Sequence, residues 1–280
     1  MAVPFANDRV TFRLAHADDD MLVVEKRAKL VTVPGVGHDT DTLLNGLMAH
    51  YGPRLAKLGA KRDWGMLHRL DRGTSGLLVV ALSAEAYDGL RESFETRAVR
   101  KFYWAVCRRA PNKPSGVIKR PIVEVVKKVD KYTSTKTARI GTSGKPAVTA
   151  YRVIEESVSG CLIEARPVTG RLHQVRVHLD SISSTVLGDE FYGPDVARRA
   201  SSRLALHAHR VAFNHPITGE EIDVHSPFPK DLRSLLTRMH LHPPPTAGER
   251  AAGRGALVED DDLPEDAEEL AGDTVGDEES

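Results

Sequence analysis

The chain has 280 residues, of which 41% are hydrophobic and 28% charged, a composition typical of a folded protein with a sizeable core. Its formal net charge is zero, but residues 259–280 contain twelve Asp or Glu and no Lys or Arg. The remaining 258 positions hold 39 basic and 27 acidic residues, a net charge of about +12, which suits a polyanionic partner because neutralised phosphates release counterions. On charge alone, a basic surface without a nucleic-acid partner is an equal alternative.

Several protein classes are disfavoured by simple features of the chain. Cys107 and Cys161 lie far apart, which argues against a zinc ribbon or a disulfide scaffold and fits a reducing cytoplasm. The first residues lack the basic start and apolar core of a signal peptide. The longest clean apolar run, Leu77 to Leu82, is too short to cross a bilayer. We therefore expect a cytoplasmic protein without a membrane segment.

In the first part of the chain, apolar spacing and turn residues predict three strands and two helices. Residues 12–24 are predicted as one strand, and a second short strand is predicted for residues 30–33. A helix is predicted for residues 43–51 and a buried strand for residues 77–82. Ser83 is then predicted to cap a helix with Ala86, Leu90 and Phe94 on one face, since a Ser hydroxyl can accept a hydrogen bond from the first turn.

In the second part, strands are predicted for residues 101–106, 149–153 and 162–165. Helical spacing follows at Leu172, Val175, Leu179 and Ile182. Residues 210–213 and 221–224 are predicted to pair as an antiparallel hairpin around Thr218 and Gly219.

These elements come in neighbouring groups of strands with a few helices between them, which predicts an α+β fold on a mixed, mainly antiparallel sheet with flanking helices. We expect a lead-in over residues 1–15, one catalytic domain over residues 16–243, and a disordered acidic tail over residues 244–280, which has few core formers. No internal repeat is present.

A glycine-rich polar loop directly precedes the predicted buried strand and carries Asp71. Arg69 and Arg72 flank this aspartate and would keep it ionised and therefore nucleophilic. Loops on a rigid support often hold functional groups, and glycines allow close backbone approach to a ligand. By spacing alone, however, a surface ion pair is the commoner role of such an aspartate.

Three blocks of the chain, in order, resemble the signatures of the RluA-type pseudouridine synthases. The first is His-Arg-Leu-Asp-x-x-Thr-Ser-Gly at residues 68–76, followed by the apolar strand. The second runs through residues 169–178 and 187–193, and the third through 206–208, 213–220 and 226–231. Lys101-Phe102-Tyr103-Trp104 also matches the short tyrosine-bearing strand of the family. The resemblance covers roughly residues 14 to 235 and implies the pseudouridine synthase fold with a central RNA-binding cleft.

The resemblance implies a reaction and a set of catalytic groups. Members isomerise a uridine in RNA by breaking the C1′–N1 bond, turning the base and rejoining it through C5. The indispensable family aspartate maps to Asp71, and a carboxylate suits glycosidic chemistry because it can add covalently or stabilise a positive sugar. Arg176 matches the arginine that pairs with this carboxylate. Tyr103 matches the tyrosine that stacks on the target base, and its hydroxyl could assist removal of the C5 proton.

The remaining site residues implied by the resemblance would contact RNA, since a target uridine must leave its stack to be reached. Arg69 matches the residue that fills the space of the flipped base. The other members of the set, for which loop support is an alternative role, are His68, Arg72, Thr74, Arg171, His173 and Gln174.

No cofactor or metal is expected, because the implied reaction is redox-neutral and transfers no phosphate. No GxGxxG follows a predicted strand, and the glycine-rich run at residues 141–145 is too short for a phosphate-binding loop. The implied partner is ribosomal or transfer RNA, and we expect the protein to be a monomer.

Two departures from the family pattern bear on the substrate cleft. The usual Lys-Pro-x-Gly appears as Lys26-Arg27-Ala28-Lys29, and the usual Gly-x-Pro before Leu187 is Ser183-Ser184-Thr185. No separate RNA-binding domain fits before residue 16, so recognition is expected from the catalytic domain itself.

Three rival functions are considered. A metal hydrolase is disfavoured because His173 and His178 are five residues apart rather than four, with no glutamate between them. A serine hydrolase at Ser75 lacks the Gly-x-Ser-x-Gly spacing. A non-catalytic RNA-binding or ribosome-assembly protein of the same fold is the serious alternative, since a fold does not guarantee the reaction. Retention of Asp71, Tyr103 and Arg176 together argues against it.

Overall fold

The computed structural model describes residues 3–128 and 134–244, which divide into two units. Residues 3–101 and 207–227 form the first unit, and residues 102–128, 134–206 and 228–244 form the second. Apart from residues 3–15 and 244, both units fall in the single catalytic domain predicted for residues 16–243, a boundary that stays a prediction. The predicted acidic tail, apart from Pro244, lies outside the described residues.

The described residues contain eleven strands, five α-helices and one 3₁₀ segment at Ala60–Gly65. The α-helices are α1 (Leu43–Leu58), α2 (Ala84–Glu95), α3 (Gln174–Ser181), α4 (Asp195–Arg199) and α5 (Lys230–Arg238). The strands are β1 (Arg13–Ala17), β2 (Met21–Lys26), β3 (Ser75–Ala81), β4 (Arg100–Cys107), β5 (Ser115–Lys119), β6 (Ile122–Lys128), β7 (Ser134–Ile140), β8 (Val148–Ser157), β9 (Gly160–Pro167), β10 (Leu206–Asn214) and β11 (Glu221–His225). Among these residues no helix is long and apolar enough to cross a membrane.

In the first unit, β3 is the central strand. It pairs antiparallel with β2, which pairs with β1, and it pairs parallel with β10, which pairs antiparallel with β11. Every residue of β3 is buried, as its continuous apolar run requires of a strand covered on both faces. Helix α2 packs Tyr87 and Leu90 into the same apolar cluster. Its cap is as predicted, because the Ser83 hydroxyl accepts a hydrogen bond from the Ala86 N–H.

In the second unit, antiparallel pairing joins β4, β9, β8 and β5 in that order. Strands β6 and β7 form a separate two-stranded sheet. All eight residues of β9 are buried, and its apolar side chains join those of β4, α3 and α5 in one core cluster. Of the strand pairs given above for the described residues, one is parallel and the others are antiparallel, and helices pack against the strands, so the chain has the α+β class predicted from the sequence. The central RNA-binding cleft stays a prediction.

Two predicted strands are wrong, each for its own physical reason. Residues 12–24 form two strands rather than one, because the Asp18 carboxylate accepts hydrogen bonds from the Asp20 and Met21 N–H groups and turns the chain. Residues 30–33 form no strand. The carbonyls of Val31 and Thr32 instead accept hydrogen bonds from the first N–H groups of α1, which have no partner within a helix.

Other predicted elements exist but are longer than expected. Helix α1 continues past the predicted end at Tyr51 to Leu58. The hairpin predicted for residues 210–224 is present, with Arg210 opposite His225. Strands β5, β6 and β7 and helices α4 and α5 were not predicted. Leu232, Leu235 and Leu236 give α5 a helical spacing, so this helix could have been predicted. The other four elements are short or mix polar and apolar residues, and tertiary packing decides them.

Candidate active site

The segment that leads into the Asp71 loop runs beside β3. Met66 forms an antiparallel bridge with Val80, and the His68 Nε2 atom accepts a hydrogen bond of 3.0 Å from the Val79 N–H. Burial, followed by the charge of Lys101, lowers the pKa of His68 to about 3. His68 is therefore neutral at physiological pH and fixes the loop to the strand.

The backbone on both sides of Asp71 is held by buried groups. The Thr32 hydroxyl donates to the Leu70 carbonyl at 2.8 Å and accepts from the Leu70 N–H at 3.3 Å. On the other side, the Thr74 N–H donates to the Asp71 carbonyl at 3.1 Å. Thr32, Leu70 and Thr74 are all buried, whereas Asp71 is half-buried. The carboxylate thus projects from a fixed turn, and Arg69 and Arg72 beside it are exposed.

The start of β3 needs a glycine. Gly76 has φ +119°, and a Cβ there would lie 2.1 Å from the Ala208 carbonyl oxygen, in the parallel pairing with β10. The preceding Ser75 hydroxyl contacts His207 Nδ1 at 2.9 Å, and His207 Nε2 contacts the Ser226 hydroxyl at 3.0 Å. These three side chains are at most 6% exposed, so Ser75 has a role in joining β3 to β10.

In the second unit, Arg176 on α3 forms a buried ion pair with Asp189. The Arg176 Nε–Asp189 Oδ2 distance is 2.7 Å and the Nη2–Oδ1 distance is 2.8 Å. The side chains are only 5% and 1% exposed. The guanidinium also lies 5.4 Å from the Phe191 ring centre and 5.0 Å from that of Tyr192. Arg176 is therefore a rigid, buried cation and not a residue of the helix surface.

The turn before α3 is organised by Gln174, which is 4% exposed. Its Oε1 atom accepts from the Thr169 hydroxyl at 2.7 Å and the Arg171 N–H at 3.0 Å. Its Nε2 atom donates to the Val148 carbonyl and the Thr149 hydroxyl. Four protein partners occupy this amide, which makes it a support of the 169–171 backbone.

Two further predicted RNA-contacting residues in this turn are half-buried. The Arg171 Nε donates to the Pro146 carbonyl at 3.0 Å. His173 has a left-handed backbone, with φ 52°, and its Nδ1 atom lies 2.7 Å from the Tyr192 hydroxyl. The Tyr192 hydroxyl also accepts from the Ala138 N–H on β7, so it joins this turn to β7.

Tyr103 lies on β4 opposite Ala165 of β9 and is half-buried. The predicted residues thus fall into two sets, one in the loop over residues 68–74 of the first unit and one on β4, α3 and its preceding turn in the second. The pairing of Asp71 with Arg176, and the stacking role of Tyr103, stay predictions.

Some residues that hold the candidate site in place were not predicted from the sequence. Thr32 gave no signal, because its contact with Leu70 spans 38 positions. Asp189 belongs to the second signature block, so its position was available, but its pairing with Arg176 was not. Tyr192 was likewise visible only as part of that block.

The family described as RNA pseudouridylate synthase matches residues 20–181 of this chain. A ribosomal large subunit pseudouridine synthase D of Zymomonas mobilis is 35% identical over 239 residues, which cover 83% of this chain and 74% of that protein. An uncharacterised RNA pseudouridine synthase of Mycobacterium tuberculosis is 37% identical over 226 residues, which cover 80% and 71%. Human RNA pseudouridylate synthase domain containing 4 superposes with a TM-score of 0.63 at 29% identity, covering 83% of this chain and 94% of that one. The chain therefore belongs to the RNA pseudouridylate synthase family, of the RluA type indicated by its three sequence blocks, and is an isomerase that acts on RNA.

Proposed function

We propose that this enzyme converts specific uridines of large-subunit ribosomal RNA to pseudouridine, with Asp71 as its catalytic carboxylate. The observation that carries the substrate is the 35% identity over 239 residues to a protein named for the large ribosomal subunit. Transfer RNA, the other substrate considered from the sequence, has no such observation in its favour.

The environment of Asp71 supports its proposed role. The Thr32 hydroxyl and the turn to Thr74 restrict the backbone around it, so the carboxylate loses little freedom when substrate binds. In the reaction the C1′–N1 bond breaks, a C1′–C5 bond forms, and the proton leaving C5 is replaced by one gained at N1. A carboxylate can add to the substrate or stabilise positive charge on the sugar during this exchange.

Arg176 and Tyr103 complete the proposed catalytic set. Asp189 neutralises Arg176 through two of its nitrogens, and this contact fixes the plane of the guanidinium before any substrate arrives. We propose that Arg176 also orients Asp71 and that Tyr103 stacks on the target base and assists removal of the C5 proton.

The predicted RNA-contacting residues separate by exposure. Arg69 and Arg72 are exposed and suit contact with phosphates or with the gap left by the flipped base. His68, which bonds to β3, and Thr74 and Gln174, which are almost fully buried, are proposed as loop supports.

A cytoplasmic, monomeric enzyme remains our proposal for location and assembly. Cys107 and Cys161 lie opposite each other on β4 and β9, and both are buried free thiols. Reduced thiols in this arrangement fit a reducing compartment.

The experiment has a cellular and a biochemical part. Pseudouridine mapping in cells with and without the gene should show lost sites in large-subunit ribosomal RNA. In vitro, Asp71→Asn should abolish conversion while leaving RNA binding largely intact, because it removes the charge and little volume. The matched control is Asp88→Asn, an exposed aspartate paired with Arg62. Full activity of Asp71→Asn would refute the mechanism, and lost sites confined to transfer RNA would refute the substrate.

A further inference from the structure

Phe191 is a large apolar residue that the fold leaves 48% exposed. Its backbone is nevertheless fixed, since the Asp189 carboxylate accepts hydrogen bonds from the Phe191 N–H at 2.9 Å and the Tyr192 N–H at 3.2 Å. Asp189 is itself 1% exposed and paired with Arg176. An exposed ring on a backbone anchored this firmly is a preformed surface, and ordering it on binding costs little entropy.

The part of the Phe191 ring that is not exposed packs against a histidine and an arginine, which are side chains suited to nucleic-acid binding. The His173 ring is stacked against it at 5.5 Å between centroids, with an interplanar angle of 27°. The Arg176 guanidinium lies 5.4 Å from its centre. Tyr192 fixes His173 in turn through the 2.7 Å contact of its hydroxyl with Nδ1. This row of planar groups resembles the aromatic and arginine surfaces on which unpaired bases stack.

The charged residues next to Phe191 in the chain and in the turn that carries His173 comprise three arginines and two carboxylates, outside the Arg176–Asp189 pair. Glu190 precedes it and is exposed, and Asp195 on α4 pairs with Arg198. Arg199 is 81% exposed at 4.0 Å from the same carboxylate, and Arg171 lies in the turn that also carries His173. The excess of guanidinium groups favours a polyanion over an apolar protein partner.

We propose that Phe191 is a stacking site for an unpaired base of the RNA substrate, other than the uridine that is isomerised. The target base is assigned to Tyr103 by the family resemblance, so Phe191 takes a second nucleotide, and its contribution is to RNA binding rather than to the bond-making steps. The inference rests on the RNA-modifying activity of the chain and is independent of the roles proposed for Asp71 and for ribosomal RNA.

The test uses total RNA from cells that lack the gene, which contains the substrate whichever RNA it is. Conversion is followed under single-turnover conditions with full-length protein in excess, which separates the half-saturating protein concentration from the maximal rate constant. Phe191→Ala should raise the half-saturating concentration by roughly 5- to 150-fold, the usual contribution of one stacked base. The maximal rate constant should stay nearly unchanged.

Three further variants make the result specific to stacking. Phe191→Trp should restore tight binding because every base has a π-face, whereas Phe191→Leu keeps apolar bulk without a ring and should remain weak. Phe5→Ala is the matched control, since Phe5 is a 62% exposed phenylalanine in the first unit, and it should bind as the wild type does.

Four results would overturn the proposal: unchanged binding by Phe191→Ala, equal binding by the Leu and Trp variants, equal weakening by Phe5→Ala, or a loss confined to the maximal rate constant. If Phe191→Ala were too unstable to assay, the comparison of Phe191→Leu with Phe191→Trp would still decide. Failure of Asp71→Asn to abolish conversion would leave this outcome unaffected, so the two proposals fail separately.

Discussion

Replacing Asp189 by asparagine tests whether the buried pair with Arg176 holds the second unit together. The substitution keeps the shape and the oxygen that accepts from the Phe191 and Tyr192 N–H groups. It places an amide NH₂ where Oδ2 now accepts from Arg176 Nε at 2.7 Å. A guanidinium that is 5% exposed then loses the charge of this partner, and breaking such a buried pair costs about 3–5 kcal/mol. We expect about 3 kcal/mol, the low end, because one oxygen remains.

A second ion pair in the same unit provides a control with equal geometry. Arg203 and Asp231 are also joined by an Nε–Oδ2 distance of 2.7 Å and an Nη2–Oδ1 distance of 2.8 Å. Here the carboxylate is 61% exposed, so water screens its attraction to the Arg203 guanidinium and the pair contributes less to stability. Asp231→Asn should therefore cost about 1 kcal/mol or less.

The assay is urea unfolding of RNA-free protein, comparing the free energy of unfolding and its denaturant slope among the wild type and the two variants. If the denaturant slope is the same for all three proteins, their free energies of unfolding can be compared directly. The reasoning is refuted if Asp189→Asn costs no more than Asp231→Asn, because burial would then not govern the strength of these pairs. Asp189→Asn should also slow conversion, since Arg176 would lose the contact that orients it, and Asp231→Asn should not.

Three other predictions concern stability and RNA binding. Gly76→Ala should destabilise the protein by several kcal/mol, roughly the effect of severe overpacking plus strain, since the new Cβ would meet the Ala208 backbone. Gly219 also has a positive φ but has open space around it, so Gly219→Ala should cost only about 1 kcal/mol in the same unfolding assay. Burial lowers the pKa of His178 to about 4. The free energy of unfolding should therefore be full above pH 6.5 and fall by at most about 3 kcal/mol towards pH 4, because this histidine takes up its proton in the unfolded state first. His178→Gln should flatten this fall when unfolding is measured across that pH range. Deleting residues 246–280 should tighten RNA binding most at low salt if the acidic segment competes with RNA, and equal affinity at all salt concentrations would reject that idea.

Local signals predicted the elements whose stability is local. The Ser83 cap of α2 and the β10–β11 hairpin around Gly219 were readable, because each depends on contacts within a few residues. The predicted strand at residues 30–33 failed for the opposite reason. Its sequence has strand propensity, but its carbonyls are taken by the first turn of α1, a contact that no local pattern encodes.

The candidate site divides in the same way. The motif string located Asp71 and its two arginine neighbours, since these lie within four positions of the chain. It gave no information about Thr32, whose hydroxyl bonds both backbone groups of Leu70 from 38 positions away. It also left the role of Gln174 open between RNA contact and support of the loop. The burial of Gln174 and its four internal hydrogen bonds favour the supporting role.

The signature blocks are long because they contain residues that support the site in addition to residues that act on the substrate. A carboxylate and an arginine must be held to within a fraction of an ångström to act together, and side chains alone are too flexible to achieve that. The first two blocks therefore carry residues that fix the backbone, such as His68 at Val79 and Asp189 at Phe191 and Tyr192, in addition to those proposed to meet RNA. Substituting a buried support should lower stability and activity together, whereas substituting an exposed residue such as Arg72 should lower RNA affinity with little change in stability. Measuring both quantities for every polar residue of the blocks would sort the two classes without reference to any relative.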